Sequence, residues 1–174
     1  MSTALTAAPV SDNVPTTFPM PALPDEMPAD FGFVAAYGVE AKNVLLTFAG
    51  TFIKDLGPSE DPVTTELRLT LKDLGTLYQD LRAMQNHWRM FTTPFALDPD
   101  PSGTGTTVYV HPHDTYYLQW RAGGFVSLPI TWKDSALSTD PKAAALRDWF
   151  KKLQQMIEAT PEWKALPPMR VGYE

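Results

Sequence analysis

The 174-residue chain has no cysteine, which removes structural disulfides, thiol catalysis, iron–sulfur clusters and the common structural zinc sites. No apolar run reaches the roughly 18–20 residues that a membrane-spanning helix needs. Basic residues are sparse: 14 Lys and Arg stand against 20 Asp and Glu, for a net charge of −6. Four of the acids, Asp12, Asp25, Glu26 and Asp30, fall in the first thirty residues, which hold no Lys or Arg, so the rest of the chain carries only −2. A near-neutral body has no cationic footprint for phosphates, and nucleic acid is set aside as a partner. The nucleophile and phosphate motifs are missing too: no G-x-S-x-G, no Walker loop, no G-x-G-x-x-G opening a helix, no H-E-x-x-H. Gly103-Thr104-Gly105 precedes an expected strand, so it has no helix N-terminus with which to hold phosphate. A hydrolase would have to assemble its site from scattered residues. The N-terminus has neither the basic start nor the apolar stretch of an intact signal peptide.

What is present suits an ordinary globular domain, with 44% hydrophobic and 20% charged residues. Residues 1–30 are rich in Ser, Thr, Ala and Pro and read as a flexible arm or tether. A sharper alternative has Phe18, Met20, Leu23 and Met27 docking on the domain or on a partner. Residues 31–174 read as one domain. Phe31 to Tyr37 alternates and ends at Gly38, the pattern of a strand and a turn. Asn43 to Lys54 reads as one long strand with Phe48, Phe52 and Ile53 in the core. Val63, Thr65, Leu67 and Leu69 share one face of the next strand, opposite Thr64, Glu66 and Arg68. Thr70 and Asp73 then form a capping pair before a helix whose stripe is Leu74, Leu77, Tyr78, Leu81 and Met84. Past a Pro-, Asp- and Gly-dense loop, strands are expected at 106–110, 115–121 and 125–132, the last two joined by Ala122-Gly123-Gly124. Pro129 marks the third as an edge or bulged strand. Asp140-Pro141 opens a second helix with Leu146, Trp149, Phe150, Leu153, Met156 and Ile157 as its stripe. The order βββα-βββα, with strands in consecutive groups, predicts an α+β fold with antiparallel pairing and two amphipathic helices.

Three groups of residues are candidates for chemistry. Asp98, Asp100 and Ser102 match the opening of a calcium loop, D-x-D-x-S-G. Its twelfth position is Tyr109 instead of a bidentate Glu, and two prolines stiffen it, so a solvated turn competes with the calcium reading. His111 and His113 are two apart, so in an extended segment both imidazoles face one side, where Asp114 or the distant His87 would complete a transition-metal site. Pro and Asp also make this tetrapeptide an ordinary turn. Tyr116 and Trp120 share one face of a strand, with Tyr117 on the other; a flat aromatic strip would stack on a sugar or a partner side chain, unless that face is core.

Three runs carry a resemblance: Tyr37-Gly38-Val39-Glu40-Ala41-Lys42-Asn43, Thr47-Phe48-Ala49-Gly50-Thr51-Phe52-Ile53-Lys54-Asp55-Leu56, and Thr64-Thr65-Glu66-Leu67-Arg68-Leu69. With the Trp132 strand and the terminal Pro168 to Tyr173, they resemble an uncharacterised family of small bacterial domains often found in predicted exported lipoproteins. The resemblance implies an exported, lipid-tethered origin and no particular activity. The chain has no lipidation cysteine, so a tether would require a longer precursor of which Met1 is not the native start; a native Met1 would imply a cytoplasmic protein. The expected function is a non-catalytic protein-interaction domain of the cell envelope or extracellular space, of enzyme-inhibitor type, with a carbohydrate- or cation-binding module as the alternative.

Overall fold

Alternation along Gly32 to Tyr37 sends Phe33, Ala35 and Tyr37 to one side, where all three are buried, and the rest of the molecule is arranged around that strand. A computed structural model describes residues 22–87, 113–134, 141–169 and Tyr173. It contains β1 (Gly32–Tyr37), β2 (Asn43–Leu46), β3 (Thr51–Lys54), β4 (Val63–Glu66), α1 (Leu71–His87), β5 (Thr115–Ala122), β6 (Phe125–Val126), β7 (Ile130–Lys133), α2 (Pro141–Ala159) and α3 (Pro161–Lys164). The fold is α+β. All pairings are antiparallel in one sheet ordered β4-β3-β2-β1-β5-β6, with β7 also on β5.

Two expected strands are divided. The run 43–54 is a hairpin: Leu45 pairs with Phe52, and residues 47–50 turn the chain. Gly50 supplies a positive φ of 61° there, and a Cβ at Gly50 would meet the Arg68 side chain at 2.9 Å. Phe48, expected in the core, therefore sits on the turn and is 49% exposed, whereas Phe52 is fully buried. The run 125–132 breaks at Ser127-Leu128-Pro129 because Ser127 turns back onto Trp120: its amide donates to the Trp120 carbonyl, and its Oγ accepts the Trp120 amide. The expected strand at 106–110 lies outside the described residues.

Both long helices cover the same sheet face. At the start of α1 the Thr70 hydroxyl accepts the Asp73 amide, and the Asp73 carboxylate accepts from the Thr70 amide and hydroxyl. This reciprocal cap satisfies donors that a helix start leaves open. Leu77, Tyr78, Leu81 and Met84 are buried on its stripe. On α2, Trp149 packs edge-on against Phe33 at 5.3 Å and Phe150 lies 4.7 Å from Tyr116. The Trp149 indole donates to the Leu77 carbonyl at 3.1 Å and ties the helices together. One interior cluster joins residues from β1 to α2.

That cluster reaches into the segment expected to be a flexible arm. Leu23 is buried and its amide donates to Gln85; the Pro24 carbonyl accepts from Tyr78, and Asp25 pairs with Arg82. Asp30 closes this stretch by accepting the Gly123 and Gly124 amides at 2.7 and 2.8 Å. The domain thus begins at least as early as Leu23, and Leu23 and Met27 dock, because two apolar side chains gain more from packing with the interior cluster than from water; Phe18 and Met20 lie outside the described residues.

Candidate functional site

Of the residues singled out by sequence, the structure describes His113, Asp114, Tyr116 and Trp120. Asp98, Asp100, Ser102 and His111 lie outside the described residues. His113 is half-buried. Asp114 is exposed; its carboxylate accepts from the Tyr116 hydroxyl at 3.2 Å and its carbonyl accepts the Asp134 amide at 2.8 Å. The nearby Asp134 carboxylate is gripped by two nitrogens of Arg147, at 2.7 and 2.8 Å. Among the described residues no group of three or more His, Cys, Asp or Glu is placed to hold a metal.

Tyr116 and Trp120 are core residues, 6% and 2% exposed, so they offer no aromatic strip to a ligand. The reason is positional: β5 lies between β1 and β6/β7, and its inward face meets α2. Tyr116 stacks on Trp132 with centroids 5.2 Å apart. Burial, with the Asp114 carboxylate alongside, raises the Tyr116 phenol above its ordinary pKa and keeps it neutral.

Among the described residues, no helix covers the opposite face of the sheet. Register places Ile53, Val44, Ala36 and Tyr117 side by side across β3, β2, β1 and β5, and Leu46 beside Val34 in the next row. Apart from buried Ala36 these side chains are half-buried, and none is charged. A third row runs Gly32, Arg121, Val126. Phe48 lies over Gly32, where a Cβ would collide with its ring, and the Arg121 guanidinium sits 4.6 Å above the same ring. Phe48 and Val126 are 49% and 55% exposed. This margin therefore joins an aromatic ring, a stacked cation and an aliphatic side chain on an open surface. A shallow groove lined by Gly50, Thr51, Thr64, Thr65, Glu66 and Arg68 follows the far edge.

Several polar residues carrying the sequence resemblance converge elsewhere, at the ends of β1 and β3. The Asn43 carboxamide accepts the Asp55 amide. The Asp55 carboxylate, 4% exposed as a residue, accepts the Gly57 amide at 3.1 Å and the Tyr173 hydroxyl at 2.9 Å. Lys42 donates to that hydroxyl at 2.9 Å and pairs with Glu40. These two contacts raise the Lys42 pKa, the Tyr173 hydrogen bond more than the Glu40 one. Lys54 is 7% exposed; it donates to the Pro167 carbonyl at 2.7 Å and lies 4.2 Å from the Trp163 ring. Desolvation lowers its pKa. These groups fasten the chain's last segment to the sheet with their hydrogen bonds directed at one another, an arrangement suited to holding structure. Sequence reasoning passed over them, although a charged pair, Lys54-Asp55, ending an apolar run is a visible signal. No family model, curated protein or solved structure matches this chain, so the likeness to exported bacterial domains rests on the quoted residues alone.

Proposed function

We propose that the chain is a non-catalytic protein-interaction domain whose binding surface is the helix-free face of its sheet, with Phe48, Arg121 and Val126 at the margin and Tyr117 towards the centre. One observation carries this reading: the outward rows of β1, β2 and β3 hold Val34, Val44, Leu46 and Ile53, where an antiparallel sheet facing water ordinarily alternates to polar residues. Contiguous apolar surface on a folded domain marks a place of association. Aromatic residues and arginine are the side chains that interfaces concentrate. The partner is a protein with an apolar patch, and an enzyme blocked by this face is one form of that reading. Location in the cell envelope is part of the proposal and is supported by the sequence resemblance only.

A photo-crosslinking residue at position 48, compared with one at Gln155 on the exposed side of α2, tests this in cells of the source organism. Position 48 should yield an adduct of defined mass that Phe48→Asp with Arg121→Glu abolishes when the crosslinker is moved to position 44, with the thermal midpoint retained. Equal adducts from position 155, or an adduct that survives the double substitution, would sink the assignment of this face. Fractionation of the native gene product tests location separately; a purely cytosolic pool removes the envelope and leaves the interaction standing.

A further inference from the structure

The two edges of the sheet are built differently. On the β6/β7 side the chain breaks at Ser127-Leu128-Pro129, proline removes a donor, and exposed Lys133 ends β7. Interruption, proline and lysine are the devices that keep an edge from pairing with another chain. The β4 edge lacks them within its length. The Leu67 amide donates to the Gly50 carbonyl at 2.9 Å, which fixes the phase of the β3–β4 ladder. Main-chain groups of Val63, Thr65 and Leu67 therefore face β3, and those of Thr64, Glu66 and Arg68 face outward. Among the described residues nothing pairs with that side. The side chains of Glu66 and Arg68 are 76% and 74% exposed and form an ion pair with each other at 3.0 Å.

We infer that the β4 edge pairs with the β4 edge of a second copy of this chain, antiparallel about a two-fold axis at Leu67. A two-fold contact must be self-complementary, so each residue's partner is set by one sum of positions. With Leu67 on the axis, Glu66 faces Arg68 of the second copy and Arg68 faces its Glu66, so the pair now closed within one chain is exchanged for two between chains. Centring the axis on Glu66 would set the two glutamates against each other, a repulsive register. Outward N–H and C=O groups of Glu66 and Arg68 supply the ladder, and the shallow groove beside them leaves the approach open. The contact joins two sheets edge to edge and keeps both helix-free faces on one side. It is independent of the partner proposed above.

Sedimentation velocity over a concentration series of the full chain tests it. The wild type should show a reversible monomer–dimer equilibrium. Glu66→Arg alone and Arg68→Glu alone should each shift it to monomer, because each sets like charges opposite one another. The double swap E66R/R68E should restore the dimer, and mixing the two single variants should form a heterodimer, which a merely structural role for either residue would not produce. A wild type monomeric throughout, or a dimer indifferent to the charge reversals, would overturn the inference. Phe48→Asp should leave the dimer intact, so failure here and failure of the proposed binding face give different results.

Discussion

Thr47 lies in the turn between β2 and β3, yet its hydroxyl accepts the Phe33 amide at 2.7 Å and donates to the Phe33 carbonyl at 2.9 Å. Phe33 is fully buried at the start of β1, so those main-chain groups have no easy recourse to water. Thr47→Val keeps the shape and leaves the amide unpaired; it should cost about 1–3 kcal/mol in urea unfolding, while Thr47→Ser should stay near wild type. Asp30 is a second case in which one side chain organises main chain. Its carboxyl is held below the ordinary 3.8, chiefly because the Gly124 and Gly123 amides donate into it. The folded state therefore favours the carboxylate, so this contribution is present above the ordinary value and is lost as pH falls through the lower folded-state midpoint. Nuclear magnetic resonance should show the Gly123 and Gly124 amides titrating together with a midpoint below 3.8, and Asp30→Asn should abolish that titration. A midpoint at or above that ordinary value would mean that the turn is not held in this way.

At the scale of elements, α3 and the tail act as a clasp on β3. Thr160 caps α3 by accepting the Trp163 amide, and Trp163 then lies 5.4 Å from Phe52 and beside Lys54. Tyr173 finishes the clasp on Asp55. Tyr173→Phe removes the one hydroxyl shared by Asp55 and Lys42 and should destabilise by about 1–3 kcal/mol, since a buried carboxylate loses a donor. Hydrogen exchange should speed up in β3 and around Gly57 while α1 stays protected; uniform loss of protection would argue against a local clasp. Elements were legible where a single periodicity governed them. The stripes of α1 and α2, the Thr70–Asp73 cap and the alternation from Val63 to Leu69 could all be read directly. The β2–β3 turn was missed because Thr47-Phe48-Ala49 has none of the usual turn residues and continues the β-rich run; Gly50 was the one mark of it. Once that turn is overlooked, Phe48 falls in the core by default. Tyr116 and Trp120 were ambiguous for a different reason: alternation shows that two faces exist, and only the helices decide which one is covered. The open face could not be located until register set Val34, Val44 and Ile53 beside Tyr117.

For the whole molecule, the position of β5 is decisive. It enters the sheet beside β1, through the pairs Phe33–Trp120 and Ala35–Leu118, although a whole helix and a long connection separate the two in sequence. Residues 22–87 alone would leave β1 as a raw edge and leave Phe33 and Tyr37 without Trp149 and Phe150. The C-terminal part alone would be a small β5–β7 sheet with α2, which has lost its partner Leu77. Neither part keeps a closed interior, so the two should fold as one cooperative unit. Urea unfolding followed by far-ultraviolet circular dichroism, which weights α1 and α2, and by tryptophan fluorescence, which draws on buried Trp120, Trp132 and Trp149, should give one coincident transition. Leu23→Ala should move both curves together by about 2–5 kcal/mol, because the residues before β1 contribute to the same interior. Two separated transitions, or a fluorescence curve that ignores Leu23, would show that the sheet and its helices are not a single core. The open face would then have no rigid frame on which to present Phe48 and Arg121.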